Sequence, residues 1–103
     1  MVVRNFAGYD ITLDEEGYFE DPLQWNEEVA AEMAREEGLL LTEKHLEVLR
    51  YLRRKYFDGK KLSLRDINRS GIISLREFYA MFSGAPLRTS SRLAGLPKPE
   101  SCV

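Results

Sequence analysis

The sequence predicts a mainly helical α+β domain: an N-terminal β-hairpin, about four helices with a helix-turn-helix-like pair, and a flexible C-terminal arm. Three observations carry this. Short β-forming runs alternate around turn residues in the first twenty positions. Apolar residues repeat at helical spacing between Thr42 and Phe57. Two Ser-x-x-acid phrases, at Ser63 and Ser74, open further helices. A chain of 103 residues that is 44% apolar and 31% charged has the composition of one domain with a packed core.

The hairpin is read from "VVRNFAGYDITLDEEGYF", where Ala7-Gly8 separates two β-forming runs and Gly17 follows an acidic turn. Asn26 is placed to cap "EEVAAEMAREEG", with Val29 and Met33 on one face and Gly38 as the stop. Trp25 anchors the entry to this helix. Thr42 opens the longest helix, and Leu46, Val48, Leu49, Leu52, Tyr56 and Phe57 fall on about half its circumference, the side expected in the core. Arg50 and Arg54 lie opposite, on a solvated face. His45 falls within the apolar arc, where a lone histidine is expected to be packed and hydrogen-bonded. Ser63-Asp66 and Ser74-Glu77 read as capping boxes, and Ile73 and Phe78 have the spacing of a hydrophobic staple, with Tyr79 and Phe82 continuing the apolar side. From Ser83 onward the periodicity stops, and the Gly-, Pro- and Ser-rich remainder is expected to be an arm.

The net charge of −2 hides a segregation. Residues 1 to 41 balance at −9, residues 42 to 70 at +5 and the rest at +2. Such blocks steer charged partners, although folding can bring them together. No apolar run is long enough to span a bilayer and the first residues lack a secretion signal, so a cytoplasmic protein without membrane contact is expected. No catalytic triad, phosphate loop or metal-ligand cluster is visible, and independent turnover is not expected.

Two alternatives follow from the residues. "DINRSGIISLREF" sets Asp66, Asn68, Ser70, Gly71, Ile73 and Glu77 at the positions of an EF-hand-like calcium loop. Against it, Asp58-Gly59 and the Ser63 cap break the entering helix, and capping accounts for Ser74 and Glu77. The paired short helices also have the outline of a helix-turn-helix nucleic-acid module or a regulatory paralogue. Their second helix, "LREFYAMF", has one basic residue and packs better than it reads bases, so direct contact with nucleic acid is the less favoured reading.

The chain ends in "AGLPKPESCV", and Cys102 is its only cysteine. This tail resembles that of the DsrC/TusE family of sulfur-carrier proteins, including the gamma subunit associated with dissimilatory sulfite reductase. The resemblance extends over "DEEGYF", "QW" before the first helix, "LTEKHLEVLRYLR", "LR" at Leu64-Arg65 and "FYAMF". It implies a compact domain over 1–83 and a mobile arm over 84–103 bearing the thiol. It also implies sulfurtransferase-type chemistry, with a persulfide carried on Cys102 from an upstream sulfurtransferase complex to a tRNA-thiolating enzyme or a sulfite reductase. No cofactor is implied beyond that transient persulfide. Family members usually have Trp where this chain has Leu46 and Pro where it has Ser83, and Ala85-Pro86-Leu87 replaces their Gly-Pro-Ala. Ser91, eleven places before Cys102, stands where the two-cysteine branch has its second thiol, so the pattern is that of the single-cysteine TusE-type branch.

Eighteen steps separate Gly84 from Cys102, a reach of at most about 60 Å. Within the arm, Gly95, Leu96, Pro97, Lys98 and Pro99 are expected to meet partners, the prolines stiffening the segment and Gly95 allowing a bend or close approach. The Val103 carboxylate opposes thiolate formation at Cys102. Arg65 and Arg92 are the candidates for supporting the thiolate, together with the partner's own site.

Overall fold

The computed structural model describes residues 1–82 and 84–99. Strands β1 (Val2–Phe6) and β2 (Tyr9–Leu13) pair antiparallel, with Val2 opposite Leu13 and Phe6 opposite Tyr9. A two-residue loop joins them, with Ala7 and Gly8 both at positive φ, the form of turn whose twist suits a hairpin. Phe6, Ile11 and Leu13 point inward, and an isolated bridge between Leu13 and Phe19 continues the pairing past the Gly17 turn.

A 3₁₀ turn at Pro22–Gln24, capped by Asp21, leads through Trp25 to α1 (Glu27–Glu36). Asn26 caps α1 by accepting from the Val29 N–H at 2.9 Å. Helix α2 (Glu43–Phe57) opens with a reciprocal cap: the Thr42 N–H donates to His45 Nδ1, and the His45 N–H donates to Thr42 Oγ1. An Nδ1 that accepts leaves the proton on Nε2, which donates to the Met81 carbonyl at 3.1 Å, and the ring meets Phe82 edge-on. His45 is therefore a structural residue, tying α2 to the fourth helix.

The last turn of α2 differs from expectation. Tyr56 and Phe57 are 36% and 52% exposed, because the helix outruns the core that Val48, Leu49 and Leu52 enter. Tyr79 is exposed for a similar reason, lying to the side of the Phe78–Phe82 face.

Helices α3 (Leu64–Arg69) and α4 (Leu75–Phe82) form the short pair. At Ser74 the box is complete, since the Ser74 N–H donates to Glu77 Oε1 and the Glu77 N–H to Ser74 Oγ. At Ser63 it is half made. Aspartate is one methylene shorter than glutamate, and Asp66 accepts from the Ser63 hydroxyl instead of reaching the backbone. Both ends of the calcium-loop pattern are thus engaged in caps, and Asp66 lies inside a helix. Ile73 and Phe78 are buried at staple spacing.

The charge blocks meet across the fold: Arg50 pairs with Glu27 at 2.7 Å, Arg92 with Glu37 at 2.7 Å and Lys98 with Glu16 at 2.9 Å. The Arg50 hydrogen bond holds Glu27 below the usual carboxylate range, and the Ser74 backbone N–H, helped by its hydroxyl, does the same for Glu77. A lowered folded pKa contributes stability above the unfolded value of about 4.3, and that contribution is lost as pH falls through the folded value. Urea unfolding is expected to give a flat stability from pH 7 to about 5 and a decline below about 4. A Glu27→Gln/Glu77→Gln double variant should decline less steeply. An unchanged slope would remove these two carboxylates as its cause.

The largest difference lies at the C-terminal end. Pro86–Leu93 form a further helix, α5, which packs against α4, α1 and α2. Leu87, Ser90, Ser91 and Leu93 are buried on it, and Ala94 and Leu96 follow into the core. The boundary expected between 83 and 84 is therefore not where the body ends, since folded structure runs through Leu96. Among the described residues no helix is long and apolar enough to cross a membrane.

Candidate functional site

The tail motif begins as the end of α5. The Gly95 N–H donates to the Arg92 carbonyl and the Leu96 N–H to the Ser91 carbonyl, while Gly95 takes φ +71°. This is the Schellman arrangement, in which a left-handed residue after the helix lets two amides cap the last carbonyls. It explains the order of residues: Ala94 closes the helix, Gly95 turns, Leu96 supplies the apolar contact, and Pro97 prevents continuation.

Three hydrogen bonds from elsewhere in the chain hold this turn. Trp25 Nε1–H donates to the Leu93 carbonyl at 2.7 Å. Arg53 Nη1 donates to the Ala94 carbonyl at 2.9 Å, and its Nη2 to the Pro22 carbonyl at 3.0 Å. The Arg53 guanidinium lies over the Trp25 ring at 4.4 Å and the Phe57 ring at 5.2 Å. The Phe19 N–H donates to the Leu96 carbonyl at 3.3 Å. Burial lowers the Arg53 pKa from its ordinary value. Gly95 lies so close to Trp25 that a Cβ there would sit 2.4 Å from the ring's Cδ1.

Beyond Leu96, Lys98 pairs with Glu16 at 2.9 Å. Tyr56, Lys60, Lys61, Leu62 and Ser63 face Leu96, Pro97, Lys98 and Pro99 across a groove of about 420 Å³. Cys102 lies outside the described residues. The covalent chain keeps its Cα within about 20 Å of Leu96, six steps back. That is a third of the reach expected for an arm beginning at Gly84.

Of the expected support residues, Arg65 is exposed in the first turn of α3. Arg92 pairs with Glu37 at 2.7 Å, beside Tyr18. The described contacts do not bring the two together. Sequence reasoning missed Arg53 and Phe19 entirely and gave Trp25 only a packing role, because their partners lie far along the chain.

Ser91 is fully buried and its Oγ has no hydrogen-bond partner among the described residues. A buried hydroxyl without a partner costs about 1–3 kcal/mol, so Ser91→Ala is expected to stabilise the protein by about 1 kcal/mol. The urea midpoint should rise with no change in slope. A lower midpoint would show that the hydroxyl is satisfied.

A family model described as DsrC like protein matches residues 5–103. Sulfurtransferase TusE of Salmonella typhimurium is 33% identical over 106 aligned positions, covering 95% of this chain and 97% of the relative. The NMR structure of Allochromatium vinosum DsrC matches with a TM-score of 0.82 at 29% identity, covering 98% of this chain and 97% of that one. The crystal structure of the oxidized gamma-subunit of the dissimilatory sulfite reductase (DsrC) from Archaeoglobus fulgidus matches with a TM-score of 0.82 at 31% identity, over 99% and 100% of the two chains. By sequence and by fold, the chain belongs to the family of DsrC-like proteins.

Proposed function

We propose that this chain is a sulfur-relay protein of the cytoplasm, taking a sulfane sulfur onto Cys102 and handing it to an acceptor. In the first step the Cys102 thiolate attacks the outer sulfur of a donor persulfide, R–S–SH. The donor's S–S bond breaks, the donor thiolate leaves with the electron pair, and Cys102 holds S–SH. The second step is the same exchange in the other direction, with the acceptor as nucleophile. Neither step needs an oxidant, reductant or cofactor, because the sulfane sulfur changes host at constant oxidation state.

The observation that carries this reading is the tail itself: the only thiol of the chain follows, by six residues, an end anchored by five side-chain and backbone tethers. A short tether on a firm base suits delivery. With a reach of about 20 Å the donor and acceptor must dock against the body close to Leu96, where Leu96, Pro97, Lys98 and Pro99 face the Lys60–Ser63 wall and Gly95 turns the chain against Trp25. The donor is an upstream sulfurtransferase, and the acceptor a tRNA-thiolating enzyme or a sulfite reductase. Ser91 favours the former, since a hydroxyl cannot join Cys102 in two-thiol chemistry. Arg65 and Arg92 remain candidates for thiolate support, alongside groups of the partner.

Intact mass spectrometry of the wild type after incubation with persulfide-loaded sulfurtransferases tests this. A +32 Da adduct is expected, mapped to the C-terminal peptide and removed by a thiol reductant. No adduct with any of several donors that load other thiols would overturn the carrier reading.

A further inference from the structure

Arg53 is the one arginine of the α2 run Arg50, Arg53, Arg54 whose described hydrogen bonds go to main-chain carbonyls. It sits between two segments far apart in sequence. One guanidinium nitrogen holds Ala94, at the end of α5, and the other holds Pro22, in the 3₁₀ turn that carries Trp25. Its face covers the Trp25 ring at 4.4 Å, and Trp25 in turn donates to Leu93 and fills the space over Gly95. A lysine in its place would have neither the fork nor the flat face, so the arrangement needs arginine. Anchoring the chain end alone does not require this residue. The Schellman turn, the burial of Leu96 and the Phe19 amide already fasten the segment. What Arg53 adds is orientation, because it links the two segments whose relative placement presses Trp25 onto Gly95.

We propose that Arg53 is a positioning residue for sulfur transfer: it sets the point and direction from which the six-residue tether to Cys102 leaves the body. This deepens the carrier reading above and rests on it. With so few residues beyond the anchor, the concentration of the thiol at a docked partner's sulfur depends on where the tether starts. Thiolate exchange also demands aligned sulfur atoms, and displacement of a reacting group by about 1 Å costs up to about 100-fold in rate. Arg53 acts through the Ala94–Leu96 turn and touches neither sulfur.

The test compares wild type with Arg53→Gln and Arg53→Lys in three measurements. Loading by glutathione persulfide, which needs no docking, is expected to stay within about twofold. Transfer from a persulfide-loaded sulfurtransferase should lose about tenfold in maximal rate with KM within about twofold, Arg53→Lys falling between the other two. Hydrogen exchange at the Leu96 amide should quicken while the Leu49 and Leu52 amides keep their protection. A maximal rate within twofold of wild type, a loss confined to KM, or an equal loss with glutathione persulfide would each overturn the proposal. Should Arg53→Gln fail to fold, Trp25→Phe, which removes the indole donor to Leu93 and trims the ring that packs on Gly95 and Arg53, carries the same comparison with an expected loss of about threefold. A wild type that neither donor loads would instead sink the carrier reading, and this assignment with it.

Discussion

Replacing Cys102 with serine is expected to reduce sulfur uptake from a persulfide donor to background while leaving the unfolding midpoint unchanged. The two expectations have separate grounds. Serine is close to cysteine in size, but its hydroxyl is not measurably ionised at neutral pH, and its oxygen cannot retain a sulfane sulfur. The nucleophile and the storage site disappear together, so the loss is complete and not graded. The fold should not register the change, because the swap is close to isosteric and the core formed among the described residues lies between Phe6 and Leu96. Intact mass and a thermal or urea melt on the same sample check both halves. The chain has no other cysteine, so a variant that still gains 32 Da under denaturing conditions would show that sulfur is not held as a persulfide of this protein. A variant that takes up no sulfur but is also unfolded would leave the loss attributable to the body.

Local chemistry explains which parts of the molecule were legible beforehand. The caps at Asn26, Thr42 and Ser74 depend on residues three positions apart, and each is made as spacing required. The hairpin is equally local, joined by the Ala7-Gly8 pair. The hidden element is α5. Its buried face includes Ser90 and Ser91, so apolar periodicity fails where the helix is most enclosed, and a composition rich in Ser, Gly and Pro reads as an arm. The available signal was punctuation: Pro86 at the first helical position and Gly95 after the last, with Leu87 and Leu93 between. Tyr56 and Phe57 show the converse error, since helical spacing places a residue on a face without saying how far the core extends beneath it. At the site, the tail motif was visible and its anchor was not. Trp25 meets Leu93 from 68 positions away and Arg53 meets Ala94 from 41, distances at which one sequence carries no pairing information.

That anchor makes Gly95→Ala the most damaging glycine-to-alanine substitution among the described residues. Two costs add. Alanine at φ +71° is disfavoured by about 1–2 kcal/mol, because its Cβ crowds the neighbouring carbonyl. Its Cβ would also stand 2.4–2.5 Å from Cδ1, Cβ and Cγ of Trp25, the root of the ring and not a free end that could swing aside. Relief requires one of two movements. Trp25 can withdraw, giving up its bond to Leu93 and the Arg53 stacking, at about 1 kcal/mol for each. Alternatively the turn can lift, which withdraws Leu96 from full burial at about 1.5–3 kcal/mol. The first route brings the total to about 3–4 kcal/mol and the second to about 2.5–5 kcal/mol, a large share of the 5–15 kcal/mol typical of a domain. Gly59→Ala serves as the control: Gly59 has φ +76° and nothing within 4 Å of a built Cβ, so it should cost only the backbone share, about 1–2 kcal/mol. The difference between the two variants isolates the contact with Trp25, and fluorescence of this only tryptophan should shift to the red in Gly95→Ala alone. Equal destabilisation of the two would mean that the ring does not press on the turn, and the tether would then leave from a looser base than the contacts around Leu96 imply.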